Sequence, residues 1–508
     1  MTTSAGPDGA VAPADGEQVI KGPAGDDRSG ARRSVLWLEV ALAVVAFAVL
    51  CVLVLKRAPQ LVEPDDQAYR GSIVGIADGY WLTLSAAQVH AVAAQTGSMG
   101  GVTGPFGPGG GIAQWVRLAD GRWISQKDPG FPFLAAVFQA LGVIRWAQLF
   151  YGALGCAGLF IGARRWLGRF GGAAAVGLYC SSGAALLFAW REYMPTFTEA
   201  SLIAAGTGLL LWAMLATEAP ARRRTWVGLA AFIALEAAVL SRYTNIVVLA
   251  CAVIAVLMAW RMRGVGLPLK ALWWWAGSVV AFGAGVAVFN SLVYGGPLKS
   301  GYRPGEITFA LSAIGANLRY MPAHLMNTMP FLVIGLLALA WIIGARAWSR
   351  RASAAEGQRA QARRDLLVAV ALFASWLAVW GLYAAYTWTA HPFGGTLQSV
   401  RFYVPALGAI SLLGAWLVTR VPGQRAGRPM LAAIAVVVVI AGMFTLGARS
   451  YGDMLSVNGG FVARICGGRR PAPAVGQNGP GTGKPPAIHA VHCAPPPGAP
   501  RHVVLPGG

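Results

Sequence analysis

The sequence predicts an all-α polytopic membrane protein of about 11 transmembrane helices, with a large first extracytoplasmic loop containing juxtamembrane helices. Three observations predict it. Hydrophobic residues make up 56% of the chain and charged residues only 12%, where a soluble domain carries about a quarter charged. Apolar runs of about 17–25 residues recur, each long enough to cross ~30 Å of hydrocarbon as a helix. Basic residues sit in short clusters between those runs, and the richest clusters fall in alternate loops, as orientation in a membrane requires. The net charge of +21 therefore reads as topology and excludes nucleic acid, because no continuous basic stripe with interleaved aromatics exists.

Residues 1–33, rich in Gly, Ala, Pro and Asp, predict a disordered cytoplasmic N-terminus. Ser34–Leu55 is longer than a signal-peptide core and lacks a small-x-small cleavage site, so it reads as an uncleaved anchor. The polar segment 56–143 forms the first loop. Within it, 131–141 is too short to span and follows a Pro-Gly-Phe-Pro turn, which predicts a helix lying at the interface. Further spans are read at 144–163, 171–189, 198–217, 226–241, 244–260, 272–294, 329–345, 367–388, 401–419 and 430–447. The stretch around Ser241-Arg242-Tyr243-Thr244-Asn245 could divide two short spans or interrupt one long one, and charge parity favours two.

Inner loops then carry Arg164/Arg165/Arg169, Arg222/Arg223/Arg224, Arg261/Arg263/Lys270, Arg346 through Arg364 and Arg420/Arg425/Arg428, while outer loops hold scattered cations. This asymmetry predicts a multi-pass plasma-membrane protein with its N-terminus cytoplasmic. Residues 34–447 form the membrane domain, and 448–508 a Pro/Gly-rich extracytoplasmic tail, disordered from Ile465 onward. Cys51, Cys156, Cys180 and Cys251 lie in spans as small apolar residues, whereas Cys466 and Cys493 lie in the tail, their pairing open.

Five groups of residues gather on the outer side of this threading. Asp65 and Asp66 lie ten residues beyond the first span; they open an acidic solvated loop, or one of them takes a proton from an acceptor hydroxyl. Lys127, in Gln126-Lys127-Asp128-Pro129-Gly130-Phe131-Pro132, either holds an anionic head group or snorkels. Arg191 and Glu192 either pair or serve the same site, and Glu199 stands near the outer end of a span, where an ionisable group usually faces a cavity. Tyr294-Gly295-Gly296-Pro297 through Gly301-Tyr302 is a turn carrying tyrosines. Arg401-Phe402-Tyr403-Val404-Pro405 places a guanidinium, well shaped for phosphate, at the mouth of a span. Glu236 raises the same question inside a span with less context.

Together these residues resemble the polytopic GT-C glycosyltransferases, in the branch that includes protein O-mannosyltransferases and lipid A aminoarabinose transferases, over about residues 34–420. The family's acidic pair after the first span matches Asp65-Asp66, and its Lys/His-Pro-Pro-Leu-type lead-in to a juxtamembrane helix matches Lys127 to Pro132. Its acidic residue near the start of the fourth span falls at Glu199, its Gly-Ser-Pro…Gly-Tyr element at Gly295 to Tyr302, and its Arg-Tyr-x-x-Pro element at Arg401 to Pro405. The chain departs from the pattern in its Asp-Asp pair, a Gly-rich insertion at 97–111, and Gly130, which breaks the Pro-Pro.

The resemblance implies a GT-C-like fold and a hexosyl- or pentosyltransferase with a polyprenyl-phosphate-sugar donor. The acceptor would be a hydroxyl on a glycan, lipid or protein, and the site would be extracytoplasmic, in contact with membrane lipid. It assigns Asp65 and Asp66 to catalysis, with Asp65 as base and a single inverting displacement; Lys127, Arg401 and Arg191 to the donor phosphate; and Glu199, Tyr302, Tyr403 and Glu192 to substrate. No cofactor is implied, and a divalent metal at the acidic pair lacks a third ligand. The rival from another class is a multi-pass transporter or flippase of a lipid-linked or small anionic substrate. That reading expects matched broken helices in two halves and a mid-membrane site.

Overall fold

The computed structural model describes residues 27–59, 64–96, 112, 114–261, 267–302, 305–351, 356–390, 397–423 and 429–466. The expectations for residues 1–26, the 97–111 insertion and the Cys466–Cys493 pairing lie outside the described residues or side chains. Sixteen α-helices and one hairpin follow one another along the described residues. They are α1 (Asp27–Leu55), α2 (Pro64–Ala77), α3 (Ala86–Thr96), β1 (Trp115–Arg117), β2 (Trp123–Ser125), α4 (Gly130–Ala140), α5 (Arg145–Leu167), α6 (Gly171–Cys180), α7 (Gly183–Trp190) and α8 (Thr196–Leu215). Then come α9 (Ala221–Ser241), α10 (Ile246–Arg261), α11 (Leu269–Tyr294), α12 (Ala313–Thr328), α13 (Leu332–Arg351), α14 (Glu356–Ala384), α15 (Leu407–Gly423) and α16 (Pro429–Cys466).

Among the described residues eight helices are long and apolar enough to cross a membrane, or ten if each of two bent pairs is one span. The bent pairs are α6 with α7, at 61°, and α12 with α13, at 98°. The expected span at 401–419 is a shorter apolar helix, Val404–Arg420. The chain is thus a multi-pass helical membrane protein, and the spans follow the order expected. Residues 226–260 form two helices, broken at Arg242 by a 3₁₀ turn over Tyr243–Asn245.

Two elements differ from expectation. α12 occupies what was read as the end of an outer loop: Asn317, Met321, Leu325 and Thr328 recur at helical spacing and are buried, while Arg319 and His324 between them suppress the hydropathy signal. α16 runs on to Cys466, into the segment assigned to the tail.

The centre of the bundle is α5 against α8, and small residues set their separation. A Cβ on Gly158 would lie 2.5 Å from the Ala205 Cα, and one on Gly208 2.0 Å from the Gly158 carbonyl oxygen. Backbones in lipid approach this closely only across such residues.

One end of the bundle is tied by charge. Arg164 of α5 pairs with Glu39 of α1, which also accepts the Gly172 N–H at 3.1 Å. Arg165 pairs with Glu218 and donates to the Leu215 carbonyl at 2.7 Å. Asp365 of α14 accepts from Trp166 at 3.0 Å and Trp416 at 3.3 Å, and faces Arg420 at 3.6 Å. These cations are the ones whose pattern predicts the cytoplasmic side.

The first loop caps the other end. α2, α3 and the hairpin share a small core of Ala68, Val74, Leu84, Val89, Val92 and Trp115. Tyr69 and Ile73 of α2 pack with Phe131 and Ala135 of α4 and with Tyr193 and Met194. The hairpin turns at Asp120-Gly121, with Gly121 at φ 86°, and pairs Trp115 with Ser125 and Arg117 with Trp123. An Asp-Gly dipeptide between alternating Trp-Val-Arg and Trp-Ile-Ser is a hairpin signal that the sequence carries and the helical expectation passed over.

Candidate active site

Pro64 occupies the first position of α2, where its missing N–H is harmless, and the two aspartates follow in the first turn, where a helix N-terminus favours negative charge. Neighbouring residues on a helix point about 100° apart. The pair therefore divides between two environments.

Asp65 faces a cavity of about 280 Å³ at the end of the bundle that the first loop caps. Its Oδ1 lies 3.0 Å from the Lys127 Nζ and its Oδ2 3.2 Å from the Arg401 Nη2. Burial alone would raise the carboxyl, but Lys127 beside it outweighs this and holds Asp65 below the usual carboxylate range. Lys127 also donates to the Tyr302 hydroxyl oxygen at 3.1 Å, which leaves the phenolic proton to point elsewhere. Burial raises that phenol to about 12, so it stays protonated at neutral pH.

Asp66 turns away from the cavity. Arg191 donates to it through Nη2 at 2.6 Å and Nε at 3.3 Å, and both side chains are buried, at 1% and 0% exposed. The pair ties α2 to the turn after α7. Arg191 is accordingly absent from the lining of the cavity, where the sequence reading had put it beside Lys127 and Arg401.

A third cation lines the cavity instead. Arg242, at the break between α9 and α10, is held by Glu199 at 3.2 Å and by the Thr196 hydroxyl at 3.3 Å. Glu199 also accepts from Asn245 at 2.9 Å and is completely buried, so it stands behind Arg242 rather than in the cavity. Among the described residues the Arg242 Nη1 is buried with no hydrogen-bond partner, an arrangement disfavoured unless a ligand fills it.

Tyr403 packs edge-on to Trp380 and near Tyr383, behind the lining. Glu192 is half-buried near Arg145 and Arg70, outside the cavity. Glu236 accepts from Ser278 at 2.6 Å, between α9 and α11. Of the nine residues nominated from sequence, the structure therefore gathers Asp65, Lys127, Arg401 and Tyr302 around one space. Asp66, Arg191, Glu199, Tyr403 and Glu192 lie around it.

Sequence reasoning gave no site role to several lining residues, among them Arg242, Asp128, Gln114 and Glu306. Arg242 was visible only as a polar break in an apolar run. Asp128 was quoted within the Lys127 motif without a role. Its carboxylate accepts the Tyr243 N–H at 3.2 Å, and burial raises it to about 7, against the lowering by that hydrogen bond, Arg242 and Lys127. Gln114 follows the Gly-rich insertion. It sits at φ 57°, its carbonyl accepts the Gln126 N–H at 2.9 Å, its side chain lies beside Asp65, and its Oε1 is buried with no hydrogen-bond partner among the described residues. A non-glycine residue at positive φ is strained, and such strain concentrates at functional sites.

Gly130 has a local reason: a Cβ there would stand 2.5 Å from the Leu240 carbonyl carbon. The start of α4 is pressed against the end of α9, which brings Lys127 and Asp128 beside Arg242. Gly301 does the same for Tyr302, since a Cβ would meet the Gln126 Cα at 2.7 Å. Aromatic rings close the remaining wall. Phe402 stacks on Tyr383 at 4.9 Å, and Arg401 lies over Phe402 at 4.7 Å and Trp388 at 5.6 Å. The result is a cavity lined by three cations, by aromatic walls and by three carboxyl groups, Asp65, Asp128 and Glu306, with Asp65 between Lys127 and Arg401. Such a space suits an anion attached to a ring or a hydrocarbon.

No protein-family model matches the sequence, and no curated protein matches it. Among solved structures it is similar to ArnT from Cupriavidus metallidurans. The form bound to undecaprenyl phosphate is 16% identical with a TM-score of 0.44, over 83% of this chain and 75% of that one. The apo form is 16% identical with a TM-score of 0.46, over 86% and 80%. It is also similar to the apo oligosaccharyltransferase of Archaeoglobus fulgidus, 12% identical with a TM-score of 0.45, over 81% of this chain and 56% of that one.

Proposed function

We propose that the chain is a membrane glycosyltransferase that moves a sugar from a polyprenyl phosphate to an acceptor hydroxyl at the extracytoplasmic face. The observation that carries the reading is Asp65, held between Lys127 and Arg401 in a cavity that Arg242 also lines. Lys127, Arg401 and Arg242 converge on one small space that Asp65, Asp128 and Glu306 also line, and such convergent cations suit the phosphate of a lipid-linked donor.

The donor phosphate takes over Lys127, Arg401 and Arg242, and Asp65 is displaced from its two partners. Losing them raises its basicity, so the base becomes competent only once the donor is seated. The acceptor oxygen then attacks the anomeric carbon as its proton passes to Asp65. The bond from the anomeric carbon to the phosphate oxygen breaks, and the electron pair leaves on the polyprenyl phosphate, where the cations stabilise it. One displacement inverts the anomeric configuration. Asp66 holds α2 in place through Arg191, and Glu199 aims Arg242. Gln114 orients Asp65 and offers its free acceptor oxygen to a sugar or acceptor hydroxyl. The donor type and the extracytoplasmic side rest on the motif resemblance and on the charge asymmetry of the loops.

Asp65→Asn tests this. The variant should lose transfer of radiolabelled sugar while binding undecaprenyl phosphate about tenfold more tightly, because the carboxylate no longer competes for Lys127 and Arg401. Unchanged transfer, or weaker binding of the lipid phosphate, overturns the reading. A transporter would instead move substrate across proteoliposomes with no glycosidic bond formed.

A further inference from the structure

We infer a second lipid site, for an anionic phospholipid, at the end of the bundle remote from Asp65. An apolar cavity of about 380 Å³ lies between α8, α9, α10 and α14, lined by Leu211, Leu235, Val248, Ala252, Ala255 and Leu372 among others. Arg363 and Arg364, at the start of α14, stand at its polar edge. Neither makes a hydrogen bond or ion pair with a described residue, and the Arg364 Nε is buried without a partner.

Arg363 is exposed, and the charges around Arg364 do not satisfy it. Arg364 faces Arg165, Arg420, Glu218 and Asp365. Glu218 is already paired with Arg165, and Asp365 faces Arg420 while accepting from two tryptophans. Arg364, Arg165, Arg420 and Arg224 thus stand around two carboxylates, Glu218 and Asp365, that are already engaged. An incoming anion is what the arrangement lacks.

The occupant follows from the combination. A free anion leaves the apolar cavity empty, and a neutral lipid leaves the guanidinium groups uncompensated. A phospholipid with a net negative head group satisfies both, placing one acyl chain between α10 and α14 and its phosphate on Arg363 and Arg364. The site is distinct from the polar cavity: Arg364 and Tyr383, which lines that cavity, are separated by about 28 Å along α14 at 1.5 Å per residue. It lies at the end where the basic loops collect.

The full chain in neutral detergent, depleted of lipid, provides the test. Phosphatidylglycerol should raise its melting temperature by about 3–6 °C and survive as an adduct in native mass spectrometry, while phosphatidylcholine and inorganic phosphate should do neither. The increment should vanish in the Arg363→Gln/Arg364→Gln double variant and, independently, in Ala255→Phe, which fills the cavity and keeps the charges. Each variant's melting temperature in phosphatidylcholine reports its fold separately. Asp65→Asn should retain the full increment, so failure here and failure of the transferase reading are distinguishable. Equal shifts with the two phospholipids, a shift with phosphate alone, an increment that survives both variants, or undecaprenyl phosphate displacing phosphatidylglycerol from this edge each overturns the assignment.

Discussion

Asp65 and Asp66 are adjacent in sequence, share one turn of helix, and each meets an arginine, yet they belong to different regions of the molecule. Around Asp66 the partner is fully buried and the geometry is two-pronged. Around Asp65 the partners come from two distant elements, contact is single-pronged to each, and a cavity adjoins. Similar chemistry thus serves as a rivet in one place and as a displaceable contact in the other. The difference is one of helical phase and of what lies opposite. A carboxylate–cation pair in a membrane protein is informative about activity only when one face of it remains open.

Replacing the two aspartates one at a time should separate the regions. Asp65→Asn is expected to lower transfer by about 10³-fold, the middle of the range for a general base, with thermal stability unchanged or slightly higher. Asp66→Asn is expected to destabilise the fold by about 3–5 kcal/mol, because it removes the carboxylate from a fully buried, two-pronged ion pair. Replacing Asp66 and Arg191 together by Leu and Met should recover most of that loss. If Asp66→Asn instead abolished turnover at full stability, the contrast would collapse and both carboxylates would belong to the reaction.

Arg242 sharpens the comparison next. Arg242→Ala should raise the KM for the lipid-linked donor about 10–100-fold, and a matching loss should follow Glu199→Gln only in part, since the guanidinium remains. A smaller effect is expected from pH. Burial raises the Asp128 carboxyl to about 7, so above that value it adds a negative charge to the cavity proposed to hold phosphate. Donor KM should therefore rise about threefold from pH 6 to pH 8 in wild type and stay flat in Asp128→Asn. Smallest of all, Gln114→Gly should gain up to about 1 kcal/mol of stability by relieving φ 57° while lowering kcat, measurable as a higher melting temperature with slower transfer.

The sequence carried the bundle well because span length and loop charge are local signals. It also brought Lys127, Arg401 and Tyr302 into view with Asp65, because each stands where an apolar run meets polar residues. What it did not carry is phase and partnership. Nothing in a row of letters says that Pro64 starts a helix and so turns Asp65 and Asp66 apart. Arg242 looked like one scattered cation, since Glu199 is forty-three residues away along the chain. The hairpin that carries Gln114 and Gln126 was hidden by an expectation of interfacial helices, although Asp120-Gly121 announced it. Glu39 and Asp365 drew no notice, and each proves to be a tie between helix ends.

Because Asp65 and an arriving phosphate want the same two cations, the carboxylate also has work to do after the sugar has gone. On the proposed mechanism it is protonated at that moment; once it gives the proton to water it becomes an anion competing for its former place. Its return would evict the spent lipid and reset the protein for another cycle. An idle molecule would meanwhile keep its base neutralised, with little power to activate stray water, a guard against wasting an expensive activated sugar.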